Sequence, residues 1–142
     1  MKDLYHELLP VVSLPAAEYT KAGGAVEASA INLAGFQGAL IEFGAGALGA
    51  QINTYEVEIV ECETVGGTYT AVAAADLVGT EPTLTHTDAP DLDESSTIKT
   101  VGYIGSKQFI RANLKVPTGA GTGSGIVWAN VIKGYARHNP VV

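Results

Sequence analysis

Four carboxylates fall within a short stretch, Asp88, Asp91, Asp93 and Glu94, in the segment HTDAPDLDESS (86–96). Carboxylates at that density could hold calcium, which takes about six to eight oxygen ligands. The spacing D-x-x-D-x-D-E lacks the turn glycine and flanking helices of an EF-hand, and a solvated acidic loop explains it as well. His6, His86 and His138 are far apart and form no H-x-x-H or H-E-x-x-H pair. Cys62 stands between Glu61 and Glu63, a setting that does not activate a thiol. GAGALGAQ (44–51) and TGAGTGSG (118–125) are glycine-rich loops that superficially match phosphate cradles. A phosphate site needs the loop to open a helix, whereas each of these runs into a strand pattern without G-K-[ST]. No catalytic residue, cofactor or metal is assigned.

The basic residues are a stronger signal. All 15 acids lie in residues 1–94 with only Lys2 and Lys21, while Lys99, Lys107, Arg111, Lys115, Lys133 and Arg137 follow with no acid among them. In VGYIGSKQFIRANLKVP (101–117), Ile110, Ala112, Leu114 and Val116 share one face, and Lys107, Phe109, Arg111, Asn113 and Lys115 share the other. That is a half-buried strand with a basic outer row. Such a row with one aromatic could stack single-stranded nucleic acid. It could equally meet the carboxylates of a neighbouring strand or subunit. The net charge of −7 opposes long-range attraction to phosphate, so direct nucleic-acid binding is not expected.

The elements that would carry these residues read as strands. Seventeen glycines and short alternating runs between Gly, Asp and Pro mark an all-β sandwich or barrel. In ALIEF (39–43), Ala39, Ile41 and Phe43 face one way. In TYEVEIVEC (54–62), Tyr55, Val57 and Ile59 oppose Glu56 and Glu58. GIVWANVIKGY (125–135) is apolar on both faces, which suits a central strand or one covered by a partner chain. Further strands are expected in 25–33, 68–74 and 97–104, and a single turn at DLVG (76–79). Residues 2–9 could start a helix that Pro10 and Pro15 would stop. Residues 1–20 are therefore read as an extended N-terminal arm and 21–142 as one sandwich domain. With one cysteine the fold stands on packing alone, and no apolar run is long enough for a membrane span or a secretory signal.

Two segments together carry a resemblance. GGTYTAVAAADLVG (66–79) and VGYIGSKQFIRANLKV (101–116) resemble a family of small structural proteins from tailed-bacteriophage and prophage operons. The opening MKDLY, the VVSLPAAEYT that follows and the closing Asn139-Pro140 are similar as well. The sequence departs from that family at 81–96, where the acidic loop replaces a Gly/Ala-rich segment. The resemblance implies a jelly-roll-like antiparallel β-sandwich on a capsid surface, made in the host cytoplasm. It also implies a non-enzymatic decoration or cement protein whose partners are the major capsid protein and other copies of itself. Contact residues are expected at Leu8, Leu9, Val11, Val12, Lys107, Arg111, Lys115, Trp128 and Tyr135. A tail-tube, neck or fibre-associated protein and a ligand-binding jelly-roll module are the alternatives.

Overall fold

Alternation decides the strands, because side chains in extended backbone point to opposite faces in turn. Each run of alternating apolar residues can therefore bury one row, and two such sheets must close on each other. The computed structural model describes residues 7–48, 54–85, 98–118 and 124–134. Its strands are β1 (Leu9–Thr20), β2 (Ile31–Asn32), β3 (Gly38–Leu48), β4 (Thr54–Cys62) and β5 (Thr70–Ala71), followed by β6 (Leu77–Val78), β7 (Thr83–Thr85), β8 (Ile98–Tyr103), β9 (Phe109–Leu114) and β10 (Ser124–Gly134). Single 3₁₀ turns occupy Lys21–Gly23 and Ala74–Asp76.

The front sheet has the order β1-β10-β3-β8-β6, and the back sheet β2-β9-β4-β5, with β7 also on β4. The antiparallel pairings β1·β10, β2·β9, β3·β8 and β4·β5 are nested, as in one long hairpin. Wrapping that hairpin brings β10 onto β3 and β9 onto β4. This is the jelly-roll connection. The rows that meet in the middle are those the alternation picked out. Ile41, Phe43, Val127, Ala129 and Val131 of the front sheet face Tyr55, Val57, Ile59, Ile110 and Ala112 of the back sheet, all buried.

Several details differ from the sequence expectation. Residues 9–20 are an edge strand rather than a free arm. Leu14 and Ser13 on it are fully buried, and the backbone is paired with β10 from Leu9 to Thr20. An edge position tolerates Pro10 and Pro15, and Pro15 lies in one of the two register shifts that break the ladder. The glycines at 44 and 46 do not open a loop, since β3 runs on to Leu48. Leu77 and Val78 pair with β8 just after the turn at 74–76, and Gly79 takes φ 103°, a left-handed value suited to glycine. Val116 lies beyond β9 and is exposed.

The excursion through β6 interrupts the strand that would flank β4. β5 pairs with Val60 and Glu61, β7 with Thr54 to Glu56, and the amide of Ile59 falls in the gap. The Glu81 carboxylate fills it, accepting that N–H at 2.8 Å. Glu81→Ala is expected to lower stability by about 1–3 kcal/mol in urea unfolding, because a buried donor loses its partner. Glu81→Gln, which keeps an acceptor, should lose less.

Candidate interaction faces

The two outer faces of the sandwich differ in kind. On the back sheet, register sets Glu58 beside Asn113, Val60 beside Arg111 and Cys62 beside Phe109. The basic row of β9 and its flanks meets carboxylates of its own chain. Lys107 pairs with Glu63 at 3.3 Å, Arg111 with Glu27 at 3.0 Å and Lys115 with Glu56 at 3.7 Å. The Arg111 guanidinium also lies 4.0 Å from the centre of the Tyr69 ring. Asn113 turns its Oδ1 to the Ala28 amide at 2.9 Å. Of the two readings of this row, the one the geometry provides is strand-to-strand complement. Exposed pairs of this sort contribute little stability each, but they offset most of the charge on the face, with Glu58 left over beside Asn113.

The front face is different. Three central rows cross it at right angles to the strands, and beyond the third Glu18 stands beside the exposed Ile126. Pro10, Ile132, Leu40, Gly102 and Val78 form the first, and Val12, Asn130, Glu42 and Thr100 the second. The third holds Trp128, Gly44 and Ile98. Leu40 is 39%, Val12 54%, Val78 59% and Ile98 55% exposed, although all four are apolar. Glu42 is the only ionisable side chain in these rows. At one end Gly38, Gly102 and Gly134 floor a groove of about 510 Å³ walled by Leu8, Leu40, Val78, Ile104 and Ile132. Monomeric proteins rarely leave bare so many apolar side chains gathered on one face.

Trp128 lies flat over Gly44, so closely that a Cβ there would fall inside the indole. Gly44→Ala should therefore expel the ring, at a cost of about 1–3 kcal/mol for overpacking. Trp128 is the single tryptophan, so a red-shifted emission spectrum with β-sheet circular dichroism intact is the expected readout.

Of the contact residues expected from sequence, Leu8 and Val12 reach this front face, while Val11 turns toward the core. Leu9 is half-buried beside Lys133. Trp128 is in the third row, and Lys107, Arg111 and Lys115 are on the opposite sheet. Tyr135 lies outside the described residues, as do all three histidines and the acidic segment 86–96. β10 is central, between β1 and β3, as its two apolar faces suggested. Cys62 is a buried free thiol. Among the described residues no group of three or more His, Cys, Asp or Glu side chains could hold a metal ion. Among them, too, no helix is long and apolar enough to cross a membrane.

No protein-family model matches the chain, and no curated protein matches it by sequence. Solved structures that align with the chain include two from one virus. The structure of infectious bursal disease virus, Gx strain, aligns over 88% of this chain and 31% of that one, with a TM-score of 0.45 and 15% identity. The crystal structure of the infectious bursal disease virus VP2 subviral particle aligns over 91% and 41%, with a TM-score of 0.32 and 8% identity. The chain spans less than half the length of either. The jelly-roll assignment rests on the strand order itself.

Leu40, Val78 and Ile104 were missed as contact candidates. The signal was present for Leu40, an apolar residue at an outward position beside Glu42 in ALIEF. For Val78 it was not, because its place on this face depends on β6 crossing to the front sheet.

Proposed function

We propose that this chain is a structural protein of a virus particle, a capsid decoration or cement subunit that binds the lattice of the major capsid protein. The observation that carries the reading is the contrast between the faces, one laced with ion pairs within the chain and one apolar through its central rows, where Glu42 is the single carboxylate. A surface of that kind is suited to being covered, and a rigid jelly roll presents it without further machinery. Repetition over a lattice makes modest individual contacts sufficient. The likeness of segments 66–79 and 101–116 to small phage structural proteins supports the same reading, with the particle surface as its location. The role is non-enzymatic.

The test is quantitative mass spectrometry of purified particles. A copy number equal to that of the major capsid protein, or a simple fraction of it, is the expected result. A few copies per particle would replace decoration by a neck, tail-tube or fibre position. Absence from the particle would overturn the virion reading and favour a ligand-binding module.

A further inference from the structure

We propose that the outer face of the front sheet is closed by a second copy of this chain, packed face to face about a two-fold axis that runs along the strands between β10 and β3.

Size is the first argument. Twelve positions in the three rows, each about 4.8 Å across the strands and about 6.6 Å along them, give a footprint of roughly 400 Å². With its apolar flanks, Ile126 beyond the third row and the groove beside the first, the face is within what one copy covers, since a standard stable interface buries about 800 Å² on each partner. Sheets stack in this way at about 10 Å, with strands nearly aligned.

The polar row is the second argument, because it selects the symmetry. Its order across the sheet is Val12, Asn130, Glu42, Thr100. A two-fold axis along the strands between β10 and β3 reverses that order in the other copy. Asn130 then faces Glu42, Glu42 faces Asn130, and Val12 faces Thr100. The amide donates to the carboxylate twice, once from each side of the axis. An axis across the strands at this row would set Glu42 against Glu42 and bury like charges together. Among the described residues no hydrogen bond or ion pair engages Glu42 or Asn130, so both are available for this exchange. The same axis lays the first apolar row on itself, Ile132 of each copy on Leu40 of the other. An isologous contact needs this self-complementarity.

The test is the mass of the isolated full chain by analytical ultracentrifugation over a concentration series. Twice the chain mass is expected for the native sequence. Leu40→Glu changes an exposed side chain off the core and should raise the dissociation constant at least about tenfold, with circular dichroism and unfolding midpoint unchanged. Asn130→Lys sets an ammonium opposite Glu42 of the other copy. It should keep the dimer and make its dissociation constant rise with salt. A native chain that stays monomeric throughout overturns the proposal, as does a Leu40→Glu chain that dimerises as tightly as the native one. A monomeric Asn130→Lys chain overturns the assigned axis. The dimer would occupy the face that the virion reading also draws on, so the lattice contact would then be made by the outside of the pair, and the two readings fail separately. A dimer in solution that is missing from particles overturns that reading alone, and a monomer found on particles overturns this one alone.

Discussion

Leu14→Ala is expected to destabilise the protein by about 2–5 kcal/mol, although Leu14 lies in a proline-flanked stretch near the N-terminus. Its side chain is fully buried, opposite Ala129 and inside the common core. Truncation leaves a cavity that two flanking register shifts cannot close without disturbing the pairing with β10. Ser13 next to it is also fully buried and joins the two sheets. Its hydroxyl donates to the Ser29 carbonyl at 3.2 Å and accepts the Ala112 amide at 3.2 Å. Ser13→Ala leaves both groups without a partner, for a further loss of about 1–3 kcal/mol. Against a total stability of about 5–15 kcal/mol these are large fractions. Urea unfolding followed by circular dichroism is the measurement. Removal of residues 1–20 should then prevent folding, whereas a dispensable arm would leave the midpoint unchanged.

The reason this strand could not be read from the sequence is physical. LPVVSLPAAEYT has two prolines and no clean alternation, because two bulges shift its register and bring both Ser13 and Leu14 inward. The regular strands were legible because a period of two is a local property. β4 and β9 fall on the predicted rows, with Tyr55, Val57 and Ile59 inward and Arg111 and Asn113 outward. The interrupted strands were not. Where β4 and β9 lose their backbone neighbours, side chains distant in sequence complete the ladder, Glu81 for Ile59 and Ser13 for Ala112. Neither Glu81 nor Ser13 differs in type from a surface residue. Only the fold gives them a partner. The candidate face divides the same way. The outward Leu40 was visible in its strand, but the row joining it to Val78 exists only because β6 crosses to the front sheet.

Charge placement follows from the same wrapping. The sequence separates acids from bases by half the chain, yet the nested hairpin sets β9 against β4 and the segment before β2. Arg111 thereby reaches Glu27 across a sequence separation of 84 residues. Segregation in sequence is thus offset in space on the back sheet, and the three central rows of the front face are left with Glu42 alone. That contrast would be lost if either half carried both signs evenly.

Raising the pH above 10 is expected to weaken the fold steadily, and two buried phenols should account for it. Tyr55 and Tyr103 are 0% and 1% exposed. Burial pushes Tyr55 up to about 12, with the Glu18 charge adding to the effect and a backbone hydrogen bond opposing it. Its hydroxyl donates to the Tyr19 carbonyl at 2.6 Å. Burial raises Tyr103 further still, helped by its hydrogen bond to Glu61 at 2.7 Å and by the Glu61 charge. The Tyr103 ring reaches that position because Gly105 has no side chain, and its oxygen accepts the Lys107 amide at 3.1 Å. Below pH 10 both phenols are protonated in the folded and the unfolded chain, and their contribution is complete. As the pH rises past 10 the unfolded chain releases protons that the folded chain retains, so stability falls up to at least about 12, the folded value for Tyr55. Tyr103→Phe should lower the urea midpoint at neutral pH by about 1–3 kcal/mol equivalent, since Glu61 and the Lys107 amide lose their shared partner. The same variant should show a shallower decline above pH 10, and Tyr55→Phe combined with it a shallower one again. Equal slopes in the native chain and the double variant would assign alkaline unfolding to other groups.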